Sequence, residues 1–264
     1  MTERLDAALA ARGVARSRTH AQQLIANGVV FVNGRNVRKA SLTVSETDEL
    51  RVDGLHHYVS RAALKLLAGL DAFDLTVQGA LALDVGASTG GFTQVLLERG
   101  ARHVIALDVG RAQIAPSLRS DERVTVLEGV NIREVSPERL ASLSGVSEKP
   151  TVVVGDLSFI SLELVLPGLA TLAADDAQLV LLIKPQFEVG RGGVREGIVR
   201  DSAARAEAVE RVLWAAFDAG LRIAGLERSP LLGGHGNVEV LAWLSRTIGT
   251  TPTEWSHRIR EVTA

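Results

Sequence analysis

The 264-residue chain contains no cysteine. That excludes disulfides, thiolate metal sites and cysteine nucleophiles, and it fits a reducing cytosol. Aromatic residues make up only 4% of the chain, against 46% hydrophobic residues overall. Its core must therefore be built from Leu, Val, Ile and Ala. No run reaches the roughly 18 apolar residues that a membrane-spanning helix needs. The apolar stretch 160–183 is broken by Pro167 and by the pair Asp175-Asp176. The opening residues, MTERLDAALA, are charged and do not read as a secretion signal. His56, His57, His103 and His235 lack ligand spacing, so no metal site is expected. Trp214 and Trp243 sit in apolar periodic segments and read as core. No internal repeat or low-complexity tract is present.

The net charge is small, −2, but unevenly spread. Residues 1–40 hold seven basic and two acidic groups, giving +5, and residues 41–264 carry −7. A short basic end on an acidic body suggests a polyanion-binding module, although a solvated basic face would look the same by charge alone. Leu5, Leu9 and Val14 mark a first helical region. Ser17 can cap a second helix, with Ala21, Leu24 and Ile25 at helical spacing and Gly28 at its end. Residues 29–32 read as a strand, Asn33-Gly34 as a hairpin turn, and Val37 as the start of the return. Arg4, Arg16, Arg18, Arg35, Arg38 and Lys39 are the expected phosphate contacts, bringing affinity without much sequence reading. The segment RLDAALAARGVARSRTHAQQLIANGVVFVNG resembles the small RNA-binding fold of the ribosomal-protein-S-four type, over about the first 55 residues. The expected division is an RNA-binding domain at 1–57 and a larger domain at 58–264, joined near residues 54–58.

The larger part alternates strands and helices. Strand-like runs lie at 81–85, 104–107, 124–127, 152–154, 179–183, 222–226 and 239–244, with amphipathic helical stretches between the first five. Such alternation implies an α/β domain, one mostly parallel sheet covered on both faces. Thr251, Pro252 and Glu254 form a capping-box pattern that starts a short terminal helix.

The first of these runs leads into LALDVGASTGGF, residues 81–92. It reads as strand, glycine-rich turn and helix, the nucleotide-binding element of doubly wound sheets. Glycines let a ligand approach the backbone, and free N–H groups at the helix start favour an anionic group. The spacing Gly86, Ser88, Gly91 lacks the middle glycine of the dinucleotide fingerprint, which argues against a dehydrogenase. Asp108 ends the next apolar run, 24 residues after Asp84, about where an acid should meet ribose hydroxyls. Asp84 before the loop and Asp108 after strand two fit S-adenosylmethionine better than a nicotinamide cofactor. An ordinary tight turn with a capping acid is the plainer alternative.

Four ionisable residues complete the pattern: Lys65, Asp156, Lys184 and Glu239. Lys65 follows Arg61 on what reads as the polar face of a helix whose other face holds Ala62, Ala63, Leu66, Leu67 and Leu70. Asp156 and Lys184 each follow an apolar strand, at the carboxyl end where sheet ligands bind. Glu239 stands near the start of the last strand. Singly, each has a plain reading: a solvated helix charge, a helix cap, an edge charge, a strand-end acid. Together they could activate a hydroxyl for attack on a sulfonium methyl group. The Asn/Asp-Pro-Pro-Tyr turn of amino-group methyltransferases is missing; this chain reads Asp156-Leu157-Ser158-Phe159 there. Residues 190–197, GRGGVREG, carry Arg191 and Arg195 and read either as a loop closing over the site or as a plain surface loop.

The segments YVSRAALKL, LDVGASTGGFTQVLL, ALDVG, NIRE, GDLSFISLELVLP, LIKPQFEVG, GIVRD and SPLLGGHGNVE resemble the TlyA family of ribosomal RNA 2′-O-methyltransferases, often named haemolysins. The catalytic part resembles the FtsJ-type fold, a Rossmann-like sheet. The resemblance implies a Lys-Asp-Lys-Glu tetrad carried by Lys65, Asp156, Lys184 and Glu239. It also implies S-adenosylmethionine held by Asp84, Gly86, Ser88, Gly90, Gly91 and Asp108. The implied substrate is a cytidine 2′-hydroxyl of ribosomal RNA, on the large and in some members also the small subunit, in the cytoplasm. DNA, which lacks that hydroxyl, is not expected as a partner, and neither is a membrane. The family often has glycine where this chain has Ala62-Ala63, but the following lysine stays in register. Two rival functions remain: a non-catalytic RNA-binding assembly factor and a membrane-active haemolysin.

Overall fold

The computed structural model describes residues 2–15, 17–26, 28–52, 58–190 and 196–264. Arg16, His56, His57, Arg191 and Arg195 lie outside the described residues, as does most of the expected linker. The chain divides into two units, Met1–Val59 and Ser60–Ala264.

In the first unit, β1 (Thr2–Arg4) leads into α1 (Leu5–Ala11), and α2 (Arg18–Ala26) follows. Leu5, Ala8 and Leu9 recur at helical spacing and are fully buried, and Ala21, Leu24 and Ile25 do the same for α2. β2 (Val30–Val32) turns through Asn33 and Gly34, both at positive φ, into β3 (Arg35–Asn36). Two successive left-handed residues match the right-handed twist of a tight hairpin, and only residues such as Asn and Gly adopt them cheaply. The return strand therefore starts at Arg35, directly after the turn, not at Val37. Two further short strands, β4 (Thr43–Ser45) and β5 (Leu50–Val52), were not foreseen. β5 pairs antiparallel with the free edge of β2, and β4 pairs antiparallel with β1.

The second unit opens with α3 (Ala63–Ala72) and then alternates: β6 (Leu81–Val85), α4 (Gly91–Glu98), β7 (His103–Asp108), α5 (Pro116–Arg119), β8 (Val124–Glu128), α6 (Pro137–Ser144), β9 (Val152–Gly155), α7 (Leu166–Leu172), β10 (Gln178–Ile183), α8 (Pro185–Glu188), α9 (Ser202–Asp218), β11 (Arg222–Arg228), β12 (Val240–Ser245) and α10 (Ser256–Thr263). The strands form one sheet in the order β11-β12-β10-β9-β6-β7-β8. Five strands run parallel, and β12 runs antiparallel to both β10 and β11. The expected α/β class and mostly parallel sheet are present. Helices cover both faces, so the central strands are apolar on both sides, with Asp84 of β6 the exception. Leu81, Leu83, Ile105, Val153, Leu181 and Ile183 are buried in one core.

Two tryptophans behave differently from expectation. Trp243 lies half-buried against Phe73 and donates to Gln178 Oε1 at 2.7 Å. Trp214 is 39% exposed, with an edge-on contact to Phe217, and is not core. The terminal helix begins as expected, with Pro252 at the first position and a capping box between Thr251 and Glu254.

Candidate active site at the carboxyl edge of the sheet

Chain direction brings the site together. Strand order reverses between β6 and β9, and the crevice outside such a switch point is where open α/β sheets bind ligands. On one side of it, β6 ends at Val85, whose partner is Gly155, the last residue of β9. Gly86 and Asp156 thus leave the sheet side by side. On the other side, Ile183 of β10 faces Val240 of β12. Lys184 and Glu239 are the next residues outward on these antiparallel strands. A strand that ends and one that begins therefore deliver a cation and an acid to one edge.

These side chains form two ion pairs. Lys184 Nζ lies 2.6 Å from Asp156 Oδ1 and donates to Ser158 Oγ at 2.8 Å. Lys65 Nζ donates to Glu239 Oε2 at 2.6 Å. Glu239 is only 2% exposed and Lys65 only 9%. The polar-face placement of Lys65 is thus corrected: α3 packs against α4 and β12, so the lysine points inward. Glu239 fits because position 233 is glycine; a Cβ there would stand 2.0 Å from its Oε1.

The glycine loop lines a cavity of about 170 Å³, with Asp156, Ser158 and Lys184 on its wall. The loop is tight. Gly86, Ser88 and Gly90 all have positive φ. A Cβ at Gly90 would meet Leu118 Cδ1 at 2.2 Å, and one at Gly86 would stand 3.0 Å from the Asp156 carbonyl oxygen. Gly91 opens α4, with Ser60 and Ala63 directly against it. Asp108 accepts from the N–H of Ser88 at 2.8 Å and of Gly110 at 2.6 Å, holding the loop to the end of β7.

Asp84 lies beneath the loop, fully buried. Thr93 Oγ1 donates to its Oδ2 at 2.6 Å, while Oδ1 is buried with no hydrogen-bond partner. Burial, with the negative charges of Asp156 and Asp108 nearby, pushes its carboxyl up to about 7, against the bond from Thr93. The sign follows from which state holds the proton. Between its ordinary 3.8 and about 7 the folded protein binds a proton that the unfolded chain has lost. The Asp84 contribution to stability is therefore full below 3.8 and declines as pH rises through about 7. In Asp84→Asn this slope is expected to vanish. Denaturation midpoints should then diverge as pH is raised from about 4 to about 8, the variant becoming the more stable. A pH-independent gap would mean that Asp84 is ionised throughout.

Several contributors escaped sequence reasoning. Ser158 holds Lys184. Phe159 is 90% exposed with φ of +64°, and contacts Phe187 at a centroid distance of 5.0 Å. It occupies the last position of the segment searched for an Asn/Asp-Pro-Pro-Tyr turn, which was the available signal. Glu188, buried in the turn after Lys184, accepts from Ser161 Oγ at 2.6 Å and Leu162 N–H at 3.0 Å, tying that loop down. Asn237 accepts from Val199 N–H and donates to the carbonyls of Gly197 and Gly234, bracing the turn before Glu239. No helix among the described residues is long and apolar enough to cross a membrane, and no potential metal cluster occurs among them.

In the first unit, the six expected phosphate contacts differ. Arg35, Arg38 and Lys39 are exposed around the hairpin. The Arg38 guanidinium lies over Gly28. Arg4 and Arg18 instead grip the buried Asp6, each at 3.0 Å, and Gln22 donates to it at 2.8 Å. These partners hold the Asp6 carboxyl well below the usual range. Arg18 and Gln22 thus link the two helices, Arg4 braces α1 from the end of β1, and both arginines keep partly exposed heads.

The FtsJ-like methyltransferase family model matches residues 58–246, and the S4 domain model matches residues 3–50. The chain is 48% identical over 244 residues to the 16S/23S rRNA (cytidine-2′-O)-methyltransferase TlyA of Mycobacterium tuberculosis, covering 91% of this chain and 89% of that protein. It is 39% identical over 240 residues to Hemolysin A of Brachyspira hyodysenteriae, covering 90% and 98% respectively. A solved structure from Streptococcus thermophilus bearing the hemolysin name aligns with a TM-score of 0.76 at 38% identity, covering 99% of this chain and 95% of that one.

Proposed function

The chain belongs to the FtsJ-like methyltransferase family, in its TlyA branch with an N-terminal S4 domain, and from that premise we infer that it methylates a ribose 2′-hydroxyl of ribosomal RNA, using S-adenosylmethionine. The observation that carries this reading is the pair of buried lysine–carboxylate contacts beside a glycine-lined cavity. When bound, S-adenosylmethionine supplies a methyl group on a sulfonium, open to in-line displacement. The glycine positions fit such a ligand, because at Gly86 and Gly90 side chains would collide with the cavity's own supports. Gly86, Ser88, Gly90 and Gly91 would line it, with Asp84 below and Asp108 at the ribose end.

The residues of this chain then have distinct tasks. A ribose hydroxyl is a poor nucleophile until its proton is accepted or steered, and a positioned group contributes about 10²–10⁴-fold. Lys184 stands at the cavity wall and takes that role. Asp156 and Ser158 fix the direction of its amine. Lys65 and Glu239 hold the ribose from the adjoining strand end. The target is a cytidine by analogy with the Mycobacterium tuberculosis relative. In the first unit, Arg4, Arg16, Arg18, Arg35, Arg38 and Lys39 supply phosphate contacts.

Phe159 offers the target base an exposed ring on which to stack. An aromatic ring so exposed, braced by Phe187 and one residue from the Lys184 partner Ser158, has no core to serve. Base–aromatic stacking is worth about 1–3 kcal/mol, so Phe159→Ala should lower kcat/KM for RNA by roughly 5–150-fold with cofactor affinity unchanged. Wild-type kcat/KM in that variant would remove Phe159 from the site.

The deciding experiment is transfer of labelled methyl from S-adenosylmethionine to unmodified small and large ribosomal subunits. Label resistant to alkaline cleavage of the adjacent phosphodiester marks a 2′-O-methyl group. Cofactor binding without label on either subunit would favour the non-catalytic assembly factor. Leakage of dye-loaded liposomes by the pure protein would favour the haemolysin.

A further inference from the structure

A second cavity, of about 210 Å³, adjoins the first and shares Ser60 and Ala62 with it. Lys65, Arg61, Gly233 and Gly234 line it, and no acidic side chain faces into it among its lining residues. The two cations are not equivalent. Lys65 is neutralised by Glu239 at 2.6 Å, whose carboxylate rests against Gly233. Arg61 is exposed at the head of α3, and no hydrogen bond or ion pair holds its guanidinium among the described residues. One wall of this cavity therefore carries an uncompensated, planar, always-charged donor.

Resting on the 2′-O-methylation reading, we propose that this cavity receives the 3′-phosphodiester of the target nucleotide, with Arg61 as its counter-charge. The covalent structure of RNA demands a phosphate at such a place. The 2′ and 3′ oxygens sit on neighbouring ring carbons. A 2′-hydroxyl presented to the first cavity must carry its 3′-phosphate into whatever space adjoins it. The adjoining space is lined by a guanidinium, whose fork geometry matches phosphate oxygens bidentately. Leu231 and Leu232 also line the cavity, but Gly233 and Gly234 add no side chain of their own, so the strand can approach the backbone closely there. Arg61 thus acts as a binding residue that anchors the strand beside Lys65 and contributes to affinity.

The test is Arg61→Gln in the full-length protein, assayed on unmodified ribosomal subunits at several salt concentrations. KM for the subunit should rise about tenfold, with kcat within about twofold and S-adenosylmethionine affinity unchanged, the last showing an intact fold. The slope of log affinity against log salt should become shallower by about 0.7–0.9, the signature of one lost phosphate contact. Arg61→Lys should keep the slope while losing part of the affinity. Unchanged KM and slope in Arg61→Gln, or a loss confined to kcat, would overturn the proposal while leaving the methyltransferase reading intact. Absence of methyl transfer by the wild-type protein would instead overturn both.

Discussion

Lys184→Ala is expected to lower the rate of methyl transfer by about 10²–10⁴-fold while S-adenosylmethionine affinity stays within about twofold. The separation follows from geometry. The lysine amine touches Asp156 and Ser158 on one wall of the cavity, whereas the loop that would cradle the cofactor is built from glycine backbone and stands without it. Removing the side chain therefore removes the group proposed to steer the proton and leaves the cradle. Lys184→Arg divides the two ways in which the residue could act. Arginine retains the charge but cannot give up its proton, so it rescues a purely electrostatic role and fails as a base. Single-turnover transfer and a cofactor titration on the same preparations measure both quantities. Wild-type turnover in Lys184→Ala would show that the four-residue assignment is wrong.

The second large effect is on stability. Glu239→Ala leaves the Lys65 ammonium in an almost fully buried position with its acid gone. Breaking a buried ion pair from one side costs about 3–5 kcal/mol, because the remaining charge stays desolvated. At roughly 2–4 °C per kcal/mol for a unit of this size, the melting temperature should fall by about 6–20 °C. Replacing both partners, Lys65→Met with Glu239→Met, removes the charges together and should restore most of that loss. The double variant should still be inactive, because on the proposed assignment Lys65 and Glu239 both hold the ribose. Chemical denaturation of the two variants and the wild type beside methyl transfer separates the roles. A Glu239→Ala midpoint equal to that of the wild type would mean that the pair is not desolvated in solution.

The architecture was largely legible because its signals are local. Each central strand is a short apolar run closed by an acid, a lysine or a glycine, and Asn33-Gly34 dictates its own turn through backbone sterics. The short strands at 43–45 and 50–52 were illegible for the converse reason. Three residues carry too little periodicity to declare a strand, and their pairing with β1 and β2 comes from contacts distant in sequence. Lys65 illustrates the same limit at the site. Its helix shows a polar face only if solvent lies on that side, and the sheet edge lies there instead. Arg61, four residues earlier on the same apparent face, does remain outside.

By itself, then, the sequence determined which chemical groups are available and which strands end in them. It holds no thiol, it places one glycine loop after one apolar strand, and it sets an acid or a lysine directly beyond three others. Tertiary structure alone decided their pairing. That Lys184 meets Asp156 and Lys65 meets Glu239 depends on the strand order and on the reversed direction of β12. Together with the packing of α3 on β12, these bring together side chains up to 174 residues apart along the chain. The physical reason is that strand direction and helix face are chosen by burial of the whole apolar surface. An ionisable side chain in these elements is carried wherever that burial leaves it.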